Sequence, residues 1–282
     1  MPVENKINNP LTAFYLTGNW MFYKTGIFKL MVIIGILLLS GCEKEKETKP
    51  IFETGTVKDI DGNVYETVKI GHQWWMASDL IVQHYCNGDS IAQIAGNLVN
   101  GEFILDNWET LEEGACYNNN IGKFKNILYN WYAVTDPREI APPGWHIPSD
   151  EDWKELEIYL GMSRSEVDKV SWRGNKEGNK LRLQERVGSK KWNYSINIYE
   201  IYGTNESGFS ALPSGCVMFN GTYSDNQFIN STATEFWWSV TPEGNKVWYR
   251  YLDYNKGGIF RFYGPKTYGF SVRCIKDKVV GE

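Results

Sequence analysis

Histidine is scarce in this chain, and chemistry built on it has little room. Only His72, His84 and His146 occur among 282 residues, each in a different segment. None has a second histidine or a cysteine at metal-ligand spacing, which argues against a zinc set. The CxxC, HExxH, GxSxG, phosphate-loop and dinucleotide fingerprints are all missing, and with them the common signatures of metalloproteases, serine hydrolases and nucleotide enzymes. A basic stripe is missing too. The 29 Lys and Arg are outnumbered by 34 Asp and Glu, whereas nucleic-acid binding needs clustered cations to neutralise phosphates. No apolar run reaches the roughly 20 residues that span a bilayer as a helix.

What is plentiful is aromatic surface: 12 Trp, 17 Tyr and 13 Phe. Large rings with a polar edge suit dense β cores and faces that stack on sugars. The N-terminal region is equally specific. Lys24 and Lys29 precede an apolar run from Leu30 to Leu39, followed by Ser40-Gly41-Cys42. A charged start, a short apolar stretch and a small-residue end are the parts of a secretory signal. "LSGC" resembles the lipobox of bacterial lipoproteins. Residues 1–41 are therefore expected to be a signal peptide, with Met21 the better start, and Cys42 the lipidated residue that ties the chain to a membrane. Residues 42–55 then form a charged tether, since "EKEKETKP" offers nothing apolar to bury. A charged segment directly after the lipidated cysteine resembles the surface-export signals of Bacteroidetes-type lipoproteins. The expected location is the outer membrane, exposed at the surface.

Four further cysteines remain, Cys86, Cys116, Cys216 and Cys274. An even number in an exported chain favours disulfides, with three possible pairings. The pairs 86–116 and 216–274 are preferred because each joins segments expected to be neighbours; free buried thiols are the alternative.

From residue 56 the pattern is that of strands. Asp61-Gly62 between two alternating runs predicts a hairpin. "DIDGN" (59–63) begins like a calcium loop but has Ile70 where the twelfth-position Glu would stand, and reads better as a turn. "NILYNWYAV" (126–134) fits a strand or a short helix. In "PSDEDWKELEIYLG" (148–161), Ser149 and Asp152 have capping-box spacing, the carboxylates face the positive helix end, and Trp153, Leu156 and Leu160 share a face. Ser163 and Glu166 repeat the pattern for a second short helix. Strands are expected at 236–240, 246–254, 258–264 and 268–277, with "NKGG" (255–258) turning the last hairpin. Two or three short helices among strands give one α+β domain over 56–277, with a tail at 278–282. "DSI" (89–91) resembles the O-glycosylation site of Bacteroidetes secreted proteins and marks Ser90.

Six ordered blocks, "DIDGNVYETVKIGHQWWMASDL", "LYNWYAV", "PPGWHIPSDEDWKEL", "NESGFSALPSG", "FWWSVT" and "YGFSVRCIKD", closely resemble the Fibrobacter succinogenes major paralogous domain. The resemblance runs from about residue 56 to 277 and implies a compact α+β fold with N- and C-terminal strands side by side. That family is distantly similar to C-type-lectin-like and formylglycine-generating-enzyme-like domains. Family members often have a cysteine before the "PxGWHxP" block. Here the region reads "EIAPPGWH", so Cys274 needs another partner, which is why Cys216 is offered. The Glu-Pro-Asn or Gln-Pro-Asp triplet of calcium-dependent lectins is missing, so the resemblance supports a fold more than an activity.

The leading expectation is a surface-anchored, non-enzymatic binding or adhesion module for glycan or another extracellular polymer, with no cofactor and no metal. Its expected ligand face lies on the C-terminal sheet. There Trp237, Trp238, Trp248, Tyr249, Arg250 and Tyr251 combine rings with a cation. The alternatives are a structural envelope or fimbria-like subunit that binds a protein, and an extracellular enzyme acting through carboxylates or Cys216 and Cys274.

Overall fold

A computed structural model describes residues 51–99, 102–118, 125–183, 203–218, 234–253 and 255–278. The expected leader, Cys42, the tether up to residue 50 and the tail beyond 278 lie outside the described residues. In chain order the first elements are strands β1 (Thr54–Lys58), β2 (Val64–Ile70), β3 (Gln73–Met76), β4 (Ala92–Gln93), β5 (Gly96–Val99) and β6 (Glu102–Leu105). There follow β7 (Ala115–Asn118), β8 (Ile127–Tyr129), helix α1 (Trp131–Val134), β9 (Trp145–His146), α2 (Asp150–Tyr159) and α3 (Arg164–Val167). Then come β10 (Ser171–Arg173), α4 (Glu177–Leu181), β11 (Thr234–Glu243), β12 (Lys246–Asp253), β13 (Ile259–Gly264) and β14 (Ile275–Lys276). The fold is α+β and dominated by strand. Among the described residues no helix is long and apolar enough to cross a membrane.

The strands form sheets ordered β1-β2-β3-β14-β9 and β10-β13-β12-β11, a three-stranded sheet β4-β7-β8 and the hairpin β5-β6. In the first, the last strand β14 sits between β3 and β9, so the first and last strands of the described residues share one sheet. The expected strand over 268–277 is shorter than predicted. Only Ile275 and Lys276 run as a ladder, while Gly269, Phe270 and Ser271 each make a single bridge to a different partner. Those bridges tie the C-terminal segment to Val217, Tyr129 and Trp237.

The ambiguous stretch 126–134 is both elements at once: β8 ends at Tyr129 and α1 begins at Trp131. Asn130 makes the switch. Its side-chain oxygen accepts from Ala133 N–H (3.0 Å) and Ala115 N–H (2.9 Å), capping the helix and pinning the neighbouring strand. The helix start at 149 has a complete capping box between Ser149 and Asp152. Trp153 and Leu156 are buried, and Gly161 closes the helix at φ 111°. Gln73 on β3 joins this helix to the first sheet, donating to the Asp152 carbonyl (3.0 Å) while accepting from Trp75 Nε1 (3.1 Å).

The second cap differs from expectation. Ser163 precedes α3 but makes no side-chain cap bond; its hydroxyl meets Ser165 instead (3.0 Å). Glu166 is drawn off to Lys169 Nζ (2.8 Å) and Gly174 N–H (3.1 Å), so the reciprocal half of a box never forms.

Two apolar clusters make up most of the core. One gathers Tyr65, Tyr129, Trp238, Tyr249 and Phe270, the other Trp75, Trp153, Phe209, Trp237 and Leu252. They lie on opposite faces of β11 and β12, since Trp237 and Trp238 alternate between them. The disulfide expectation is overturned: no disulfide joins Cys86, Cys116, Cys216 or Cys274. Cys116, Cys216 and Cys274 are fully buried within the first cluster, behaving as small hydrophobes, and Cys86 Sγ–H donates to the Ala141 carbonyl (3.1 Å). Burial pushes the Cys116 thiol up to about 12 and Cys274 further still.

Candidate functional site

The expected aromatic ligand face is a core. Trp237, Trp238 and Arg250 are 0% exposed, Trp248 and Tyr249 are buried, and only Tyr251 is half-open. The physical reason is that both faces of the β10-β13-β12-β11 sheet are covered. On one side Tyr249 packs on Phe270 at 5.0 Å; on the other Trp153 lies 5.7 Å from Trp237. The indole N–H groups are spent internally, Trp237 on Asp79 (2.9 Å) and Trp238 on the Tyr129 carbonyl (2.7 Å).

Arg250 is the hub of a buried ion network. Its guanidinium donates to Asp150 (2.7 Å) and Glu157 (2.5 Å), both on α2. Arg173 makes a fork onto both oxygens of Glu157, each at 2.8 Å, and Arg261 binds both oxygens of Asp150 at 2.9 and 2.7 Å. Burial alone would raise the Asp150 carboxyl, but the guanidiniums of Arg261 and Arg250 outweigh it and hold it well below the usual carboxylate range. Arg261 also lies over the Trp248 ring, 3.6 Å from its centroid. A ligand therefore finds none of these charges free.

An open polar site exists elsewhere, where the β1–β2 hairpin meets the segment 81–84 and the edge of the β4-β7-β8 sheet. The hairpin loop runs from Asp59 to Asn63, longer than a two-residue turn, because Asp59 closes it. Its carboxylate accepts from Asn63 N–H (2.9 Å), Asn63 Nδ2 (2.9 Å) and the Tyr65 hydroxyl (2.5 Å). The Tyr65 oxygen in turn accepts from Ile81 N–H (3.1 Å), which ties the next segment to the hairpin. Gly62 takes the φ of 86° that the loop requires.

That loop projects Asp61 towards Gln83 and His84. Asp61 accepts from Gln83 N–H (2.5 Å) through one oxygen and contacts His84 Nδ1 (2.6 Å) through the other. A carboxylate is an acceptor, so Nδ1 is the protonated nitrogen and Nε2 is left open. Beside them three amides close a ring. Gln93 donates to Gln83 (2.8 Å), Gln83 to Asn118 (3.4 Å) and Asn118 back to Gln93 (3.0 Å). Each amide thus spends one N–H within the ring. Asp61, Asn63, Gln83, His84 and Asn118, with exposed Lys125 and the apolar floor of Ile81 and Ile127, line a cavity of about 370 Å³, and Gln93 braces two of them through the ring. Its size suits a small ligand or one or two units of a polymer. No group of three or more His, Cys, Asp or Glu that could hold a metal occurs among the described residues.

Sequence reasoning placed Asp61 in a turn and left His84 unassigned. It had no signal for the amide ring, whose members are 10 and 25 residues apart. Ser90 is exposed next to this site, bridged to His84. His146 contacts Asp277 (2.6 Å) and Asp152 (3.7 Å) at the start of α2; the nearby Asp152 carboxylate, then Asp277, raises its pKa. That is an anchor for the helix start.

The Fibrobacter succinogenes major domain matches residues 68–276, and the chain belongs to that family. No curated protein and no solved structure matches the chain.

Proposed function

We propose that this chain is an exported, lipid-anchored binding module without catalytic activity, held to the outer membrane through Cys42, and that its ligand is a glycan or similar hydroxyl-rich extracellular polymer. The observation that carries this reading is the cavity at Asp61, His84 and the Gln83-Gln93-Asn118 ring. It presents amide donors and acceptors above a small apolar floor, the chemistry that reads hydroxyl groups. The family's distant similarity to C-type-lectin-like domains fits the same reading. Non-catalysis is supported by the burial of Cys216 and Cys274 in an apolar core, where a thiolate is disfavoured and no substrate reaches it.

The test is a screen of the purified chain against soluble polysaccharides, repeated with Gln83→Ala and Asn118→Ala. Saturable binding weakened by either substitution, with the circular dichroism spectrum unchanged, is the expected outcome. One observation favours a protein partner instead: the edge strand β1 is largely exposed, and Ile51, Ile60 and Val64 stand open beside it. Self-association or envelope-protein binding abolished by Val64→Lys, with no polysaccharide bound, would replace the glycan reading.

A further inference from the structure

The charges in the cavity are not equally available. Both oxygens of Asp61 are taken, by Gln83 N–H and His84 Nδ1–H, and Asp59 behind it accepts three hydrogen bonds from Asn63 and Tyr65. The Lys125 ammonium is exposed and has no ion-pair partner among the described residues. The side-chain amides of Asn63, Gln83 and Asn118 line the same cavity. The surface offered to a ligand is thus rich in donors and carries one uncommitted positive charge, although the chain as a whole is acidic.

We infer that the cavity takes an acidic saccharide, a sugar unit bearing a carboxylate, with the carboxylate on Lys125 and the ring hydroxyls on the amide ring and His84 Nε2. This inference rests on the glycan-binding reading and adds its substrate class. A neutral sugar would leave the ammonium solvated but unused. A carboxylate gains a charge-assisted hydrogen bond there, roughly twice as strong as a neutral one. His84 serves as acceptor for a hydroxyl while Asp61 holds its other nitrogen, so Asp61 acts as a positioning residue.

The experiment is titration calorimetry of the full chain with polygalacturonate fragments and, separately, with neutral galactan fragments of similar length. Polygalacturonate is expected to bind at least about tenfold more tightly than galactan at low salt, the preference shrinking as salt rises. Lys125→Gln should remove that preference, and Lys125→Arg should retain most of it. Asn118→Ala should weaken both ligands. Equal binding of the two fragments, unchanged by Lys125→Gln yet weakened by Asn118→Ala, overturns the inference and leaves the glycan reading standing. Binding of neither fragment overturns both. Circular dichroism of each variant separates a lost contact from a lost fold.

Discussion

Glu235 gives a test of the core that is independent of any ligand. It is 0% exposed on β11, where one carboxyl oxygen accepts from Ser214 N–H (2.5 Å) and the other has no partner among the described residues. Burial, reinforced by the nearby Asp79 carboxylate, raises its pKa well above the usual 4.5, more than Ser214, Ser271 and Arg273 can offset. The native state therefore holds a proton that the unfolded chain gives up above about pH 4.5. Stability must then fall as pH rises from there, by about 1.4 kcal/mol per pH unit for as long as the native carboxyl stays protonated. Glu235→Gln keeps the shape and removes the titration. Urea unfolding at pH 5, 6, 7 and 8 should show the variant gaining on the wild type as pH rises, by up to about 1.4 kcal/mol per unit while the native carboxyl holds its proton. His146, with a raised pKa, also loses its contribution as pH rises, so the readout is the difference between the two curves. Parallel curves, or a wild type that gains on the variant as pH rises, would refute the argument.

The opposite limb belongs to Asp150. Its depressed pKa contributes stability above the unfolded value of 3.8 that is lost as pH falls through the native one, so Asp150→Asn should flatten the acid limb of wild-type stability below about pH 4. Arg250→Met removes one of the two guanidiniums that hold each of Asp150 and Glu157, leaving Arg261 and Arg173 in place, and should cost about 1.5–3 kcal/mol in urea unfolding; a cost under about 1 kcal/mol would mean that the site is wet. With Cys42 replaced by serine, thiol titration should count four free thiols in denaturant without reductant, and only Cys86 should react quickly in the native state. A count of two or none would restore the disulfides.

Local chemistry was the legible part of this sequence. The capping box at Ser149, the hairpin around Asp61-Gly62 and the apolar face of Trp153 and Leu156 depend on residues within a few positions of each other. The Ser163–Glu166 box, just as local, did not form, because Lys169 and Gly174 take the Glu166 carboxylate. The family resemblance carried the sheet that holds both the first and the last strand. The expected ligand face failed for a definite reason. Alternation in "KVWYRYLDY" separates two faces of a strand, but it cannot say whether one of them meets water. Here α2 brings Asp150 and Glu157 to Arg250 from 100 and 93 residues away, which turns an apparent surface cation into a core residue. Carboxylates that looked complete as helix-start residues were also the anchors of that network. The polar cavity was illegible for the same reason. Asp61, His84, Gln83, Gln93 and Asn118 are ordinary surface residues until three separate segments are brought together.

The most direct test of whether ligands bind at the polar cavity or on the aromatic sheet is hydrogen–deuterium exchange of the full chain, with and without a saturating acidic oligosaccharide. The account predicts slowed exchange confined to residues 59–65, 81–93 and 115–129. Protection centred on 236–263, with the cavity segments unchanged, would contradict it and return the site to the aromatic sheet.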